Sequence, residues 1–180
     1  QFALMGDIFA QCILGIKKPK IGLLNVGTED IKGNPVVKQA YENLKRIENQ
    51  INFYGFVEGD DINKGIVDVV VTDGFSGNIA LKTAEGVADL IFTYLKNAYQ
   101  SSFISKLGYI LSKPALNRFK TRIDPRKYNG AVLLGLNGII VKSHGGTDAF
   151  GFSNAISVAI SLIKNNYVNT IENQLTRKHE

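Results

Sequence analysis

Asn78 and Lys82 stand one helical turn apart, directly after a stretch punctuated by glycines. An amide that donates hydrogen bonds beside an ammonium point charge is a pairing suited to an anion. The stretch is Val67–Gly86, V-D-V-V-V-T-D-G-F-S-G-N-I-A-L-K-T-A-E-G. Val67, Val69, Val70 and Val71 form a β-branched run of the buried-strand kind. Gly74 and Gly77 then break it, and Ile79, Leu81, Ala84, Val87, Ala88, Ile91 and Leu95 recur at helical spacing. A strand, a glycine turn and a helix in that order aim backbone N–H groups and a positive helix end at one point. Asp73, Gly74, Ser76 and Gly77 therefore join Asn78 and Lys82 as expected anion-site residues. A plain strand-to-helix connection, in which the glycines only make a tight turn, is the alternative.

Two further clusters have similar chemistry. Lys32-Gly33-Asn34 precedes Pro35, so an N-cap asparagine and a proline at the first helical position place a second anion site at a helix start. His144 lies in S-H-G-G-T (Ser143–Thr147), at the end of an apolar segment; the other histidine, His179, is in the polar tail. A histidine among glycines at a strand end suits proton transfer or anion contact better than a core position does.

These residues need a scaffold. Ile21–Val26 reads as a buried strand, followed by a turn and by a helix carrying Val37, Ala40, Tyr41, Leu44 and Ile47. A strand at Ile51–Val57, a polar turn Glu58–Lys64, the valine strand and a helix to about Tyr99 come next. Ala131–Val141 reads as two apolar segments around Asn137-Gly138, a hairpin dipeptide. A last helix is expected from about Phe152–Asn154, with a fraying tail past Ile171. This order predicts an α/β layered fold with a mostly parallel sheet. Ligands of such sheets bind outside the carboxyl ends of the strands. Asn25-Val26-Gly27, Thr72-Asp73-Gly74 and Ser143-His144-Gly145-Gly146 are then expected along one edge.

Composition narrows the partners. The chain has 180 residues, one cysteine and a net charge of +5, which suits a single globular domain without a disulfide framework. Cys12, among Phe9, Ala10, Ile13 and Leu14, reads as a core thiol. No apolar run reaches the ~20 residues that a spanning helix needs. Charge is uneven: Leu90–Ile123 holds no acidic residue. Within Ser101–Asp124, Phe103, Leu107, Ile110, Leu111, Ala115 and Phe119 can form an apolar stripe flanked by Lys106, Lys113, Arg118, Lys120 and Arg122. Pro114 would kink this helix or start a second one. Such a segment suits a membrane interface or an acidic protein partner, and a dimer or core helix with a solvated basic face is the alternative. Nucleic acid is not among the expected partners.

Several motifs together resemble one family. Gly22–Asn34 (G-L-L-N-V-G-T-E-D-I-K-G-N), Asn52–Ile62 (N-F-Y-G-F-V-E-G-D-D-I) and Asp73–Gly86 resemble the bacterial phosphate acyltransferases (PlsX), which use acyl carrier protein in phospholipid synthesis. Lys127–Gly138 (K-Y-N-G-A-V-L-L-G-L-N-G) and Ser143–Thr147 continue the likeness. Thr28-Glu29 and Val132 depart from the family's usual residues there. The family extends upstream, so this chain is expected to be the C-terminal half to two-thirds of such an enzyme. The resemblance implies transfer of a long-chain acyl group from acyl carrier protein to inorganic phosphate. It also implies a three-layer α/β/α fold related to isopropylmalate dehydrogenases and phosphotransacetylases, a cytoplasmic homodimer, and loose membrane contact. No cofactor and no metal are expected.

In that reaction phosphate itself is the nucleophile. The protein must bind a dianion, hold it against a thioester carbonyl and stabilise an oxyanion. Lys82 and the amides of Gly74–Asn78 suit the phosphate, Asn78 or Asn25 the oxyanion or phosphate, and His144 the phosphate or the leaving thiolate. Asn25, Gly27, Lys32, Gly33, Asn34 and Gly145 complete the expected site, with Asp73 orienting Lys82. Two rival activities are a short-chain acyltransferase using coenzyme A and a nicotinamide dehydrogenase. A non-catalytic domain that binds a membrane or an acidic protein is the third alternative.

Overall fold

A computed structural model describes residues 1–176. The chain divides into two compact units, Gln1–Thr72 with Arg126–Glu180, and Asp73–Pro125.

The first unit is built on helix α1 (Phe2–Leu14) and a sheet of β1 (Lys20–Leu24), β2 (Asn52–Val57) and β3 (Val69–Val71), all parallel in the order β2-β1-β3. β1 is central, and it carries the fully buried Ile21 and the buried Leu23. Helix α2 (Pro35–Lys45) packs on β1 and β2 through Leu44, Val37, Ala40 and Tyr41, whose ring stacks on Phe56 at 4.3 Å. A one-residue bulge divides the β1–β2 ladder, because Ile21 pairs with Phe53 and Gly22 with Gly55. Gly55 sits there at φ +114°, a conformation that a side chain would strain.

α1 faces two cores. Ala3 and Leu4 pack with the sheet residues, while Met5 and Ile8 pack with Leu162, Tyr167 and Ile171. Gly6 makes the close approach to β3 possible, since a Cβ there would stand 2.8 Å from Val69 Cγ1. The second core belongs to α6 (Ala149–Lys164) and α7 (Tyr167–Thr176), which are separated by Asn166 at φ 52°. Each fully buried aliphatic side chain, such as Leu162 or Ile8, contributes roughly 1.5–3 kcal/mol of burial.

The α/β class and the parallel sheet match the sequence reading, and several boundaries differ. β1 stops at Leu24, leaving Asn25 and Val26 in the following loop. Part of the expected polar turn is a short helix, α3 (Asp61–Lys64). The last long helix starts at Ala149, capped by Asp148, whose carboxylate accepts from the Gly151 amide. The tail past Ile171 does not fray at once: Tyr167, Ile171 and Leu175 recur every four residues and hold α7 on the core. His179 lies outside the described residues.

The hairpin near Asn137-Gly138 exists as two short antiparallel strands, β4 (Ala131–Val132) and β5 (Val141–Lys142). They form a separate sheet. The expected alignment of three strand ends along one edge is therefore corrected. Asn25 and Thr72 follow neighbouring parallel strands, whereas Ser143–Gly146 follows a two-stranded ribbon.

The second unit is a pair of helices, α4 (Gly74–Gln100) and α5 (Phe103–Arg122). Phe92 meets Phe119 at 6.1 Å, Tyr99 meets Tyr109 at 5.4 Å, and the Ser112 hydroxyl bonds to that of Tyr99 at 3.1 Å. These pairings run in opposite order along the two helices, as in an antiparallel hairpin. Pro114 neither ends α5 nor starts another helix. Neither helix has a buried residue, so Phe103, Ile104, Ile110 and Leu111 stand exposed. No helix among the described residues is long and apolar enough to cross a membrane.

Candidate functional site

The loop after β1 gathers Asn25, Gly27, Lys32, Gly33 and Asn34. Asn25 continues the sheet by donating its amide to the Val57 carbonyl at 2.9 Å, and its side chain is buried. Its Nδ2 donates to the Lys32 carbonyl at 3.3 Å, closing the loop on itself. Gly33 turns at φ +90° where a Cβ would overlap the Asn25 carboxamide. A Cβ on Gly27 would stand 2.7 Å from Glu29 Oε2 and 2.9 Å from Lys32 Cγ. The Asn34 side chain accepts from the Val37 amide at 2.9 Å and so caps α2. Asn25 and Asn34 thus shape the loop, while Lys32 is exposed between Ile31 and Gly33. Val26 and Ile31 are each 80% exposed on the same loop.

Asp73, Gly74, Ser76, Gly77, Asn78 and Lys82 lie at the start of α4, in the second unit. The expected glycine turn is absent here: Gly74 is the first helical residue and Gly77 is inside the first turn. Asp73 is the N-cap. Its carboxylate accepts from the Ser76 amide at 2.8 Å, and its carbonyl accepts from the Gly77 amide at 3.0 Å. The Ser76 amide, then the Ser76 hydroxyl, hold the Asp73 carboxyl below the usual carboxylate range. A carboxylate of the chain itself therefore occupies the positive helix end that was read as an anion cradle. Lys82 lies nine residues beyond Asp73, and its ammonium pairs with Glu85 at 2.6 Å. Its side chain remains 71% exposed, so exchange of that partner for a phosphate requires little desolvation.

His144 and Gly145 lie in a turn between β5 and α6. The Thr147 amide donates to the His144 carbonyl at 3.1 Å, and the Gly146 amide donates to His144 Nδ1 at 3.2 Å. An Nδ1 that accepts assigns the proton of the neutral ring to Nε2, which is then a donor. The ring is exposed. Behind the turn lies Asn129, which the sequence reading did not single out; an asparagine in K-Y-N-G carries no sign that it will be buried. Arg126 pairs with Asp148 at 2.7 Å, and the Arg126 carbonyl accepts from Asn154 Nδ2 at 2.9 Å. The Gly151 amide, then Arg126, lower the Asp148 carboxyl below its ordinary value.

Elsewhere in the first unit, a cavity of about 200 Å³ is lined by Leu133, Leu136, Tyr167, Ile171, Glu172 and Leu175 among others, and by none of the expected site residues. The Tyr167 ring meets Phe9 edge-on at 6.4 Å, and its hydroxyl is buried with no hydrogen-bond partner among the described residues. Cys12 is half-buried against the second core, not within it, and burial raises its thiol above its ordinary value. Among the described residues no cluster of three or more His, Cys, Asp or Glu side chains has the arrangement of a metal site.

Comparison with known proteins adds the family. A protein from Paramagnetospirillum magneticum named phosphate acyltransferase is 58% identical over 177 residues, covering 98% of this chain and 50% of that protein. One of the same name from Rhodospirillum rubrum is 51% identical over 177 residues, 98% of this chain and 51% of the relative. The chain thus spans about half the length of these relatives. Residues 1–170 match the family model described as fatty acid synthesis protein, and the chain belongs to that family.

Proposed function

We propose that the full-length protein transfers a long-chain fatty acyl group from acyl carrier protein to inorganic phosphate, releasing acyl phosphate for phospholipid synthesis. The observation that carries this reading is the 58% identity, over nearly the whole chain, to a relative named phosphate acyltransferase. The family's link to fatty acid synthesis favours a fatty acyl donor over a short-chain one.

A phosphate oxygen attacks the thioester carbonyl carbon, the carbonyl becomes an oxyanion, and the C–S bond then breaks to release the carrier thiolate. Lys82 supplies a cation to the incoming dianion, exchanging Glu85 for phosphate, with Asn78 as a donor beside it. His144, with its proton on Nε2, donates a hydrogen bond to a phosphate oxygen or to the departing thiolate, which takes its proton from solvent. Within the first unit, Asn25, Gly27, Lys32, Gly33 and Asn34 shape the loop that follows β1, which we assign to substrate binding. Asp73 caps α4 and does not itself touch phosphate.

The same reading assigns a three-layer α/β/α fold of the isopropylmalate dehydrogenase and phosphotransacetylase kind, a homodimer, and a cytoplasmic protein in loose contact with the membrane. The exposed apolar residues and the basic residues of α5 support the last two. The decisive assay is acyl-phosphate formation by the full-length protein from inorganic phosphate, with long-chain acyl carrier protein and with acetyl- or butyryl-coenzyme A as donors. Turnover with the carrier-bound donor is expected. Turnover only with the short coenzyme A thioesters sinks the donor assignment, and no acyl phosphate from either sinks the reaction.

A further inference from the structure

We propose that Asn129 is the positioning residue for His144, and that it sets the place from which the imidazole donates. This rests on the reading of His144 as a hydrogen-bond donor in the reaction.

Asn129 is only 9% exposed, and its carboxamide makes three hydrogen bonds. Nδ2 donates to the Ser143 hydroxyl at 2.8 Å and to the Gly151 carbonyl at 2.8 Å, and Oδ1 accepts from the His144 amide at 2.9 Å. Both N–H groups of the amide are thus used, one on each side of the turn. Gly151 belongs to the first turn of α6, so one side chain ties the His144 backbone to the start of that helix. The side chain must donate twice and accept once within one plane, which of the twenty residues only Asn or Gln can do, and Gln is longer.

The surroundings keep Asn129 itself in place. Gly130, at φ +124°, lies so close to α6 that a Cβ would be 3.1 Å from the Ala155 Cα. A Cβ on Gly151 would overlap the Thr147 hydroxyl, so the turn and the helix start are in direct contact. The Gly146 amide then fixes the ring tautomer from the other side. Asn129 controls where the residue stands, and Gly146 controls which nitrogen carries the proton.

The test is a double-mutant cycle in the full-length protein, with acyl-phosphate formation as readout: Asn129→Ala, His144→Ala, and both together. Misplacing a donor by about 1 Å is expected to lower kcat on the order of 10²-fold with little change in KM for phosphate. In the His144→Ala background the same Asn129 substitution is expected to change kcat less than about twofold, because nothing remains to be positioned. Equal losses from Asn129→Ala in both backgrounds would overturn the proposal and leave the role of His144 intact. A His144→Ala variant as active as wild type removes that role, and the proposal with it.

Should Asn129→Ala fail to fold, Asn129→Asp serves in its place. It is nearly isosteric and keeps the acceptor for the His144 amide, while losing both donated bonds. Its kcat is expected to fall in the wild-type background but not in the His144→Ala background, and the backbone amide NMR signal of His144 is expected to move while the ring keeps the Nε2–H tautomer that the Gly146 amide sets. Wild-type kcat, or an equal fall in the His144→Ala background, would overturn the proposal.

Discussion

Gly33 holds a left-handed φ of +90° with its α-carbon turned against the carboxamide of Asn25, eight residues earlier. Both backbone strain and steric overlap oppose a side chain there. Gly33→Ala is expected to destabilise the full-length protein by about 2–5 kcal/mol, the sum of a left-handed penalty and a displaced buried amide. Denaturant unfolding measures this, and a loss below about 0.5 kcal/mol would mean that the loop relaxes freely.

Lys82 and Glu85 separate a functional from a structural role. Both side chains are exposed, so breaking the pair is expected to change stability by less than about 0.5 kcal/mol. Lys82→Ala is nevertheless expected to raise KM for phosphate at least ~10-fold, by loss of a charge-assisted contact. Glu85→Gln, which removes the competing carboxylate, is expected to lower it. Steady-state kinetics over a phosphate series decides, and an unchanged KM in Lys82→Ala would remove this residue from the phosphate site.

Asp7 gives a pH dependence. It is buried in α1, desolvation raises its carboxyl above the ordinary 3.8, and the amide of Gln11 at 2.8 Å only partly offsets that rise. A folded pKa above the unfolded one contributes stability below about pH 3.8 that is lost as pH rises through the folded value. Asp7→Asn is therefore expected to unfold at higher temperature than wild type at pH 7, with the advantage shrinking as pH falls towards 4. A difference that does not vary with pH would contradict this.

Tyr167 buries a hydroxyl with no partner among the described residues, and burial raises its pKa to about 12. An unsatisfied buried hydroxyl costs on the order of 1 kcal/mol or more, so Tyr167→Phe is expected to be neutral or stabilising by about 1 kcal/mol. Thermal unfolding would show the opposite if the hydroxyl held a structural bond.

The basic residues of α5 are expected to bind anionic bilayers. Replacing Lys106, Lys113, Arg118, Lys120 and Arg122 by Gln removes roughly 1 kcal/mol of surface attraction for each residue near the bilayer. Sedimentation with phosphatidylserine vesicles should weaken in the variant, and in wild type as salt rises. Equal binding by variant and wild type would leave the exposed face of α5 to a second subunit.

The sequence by itself determined the α/β class, the succession of the main strands and helices without α3 and α7, the N-cap at Asn34 and the family. Each of these is written in local periodicity or in contiguous motifs: alternation with period 2, recurrence every 3.6 residues, a capping residue before a proline. Only the tertiary structure decided what the polar side chains do. Asp73 turned out to cap the helix it precedes, because the glycines after it entered the first turn instead of forming a loop. Asn25 closes a loop through the Lys32 carbonyl, and His144 follows a ribbon outside the parallel sheet. Asn129 reaches residues 14, 15 and 22 positions away. Hydrogen bonds of that range depend on how separate elements pack, and no window of sequence contains both partners.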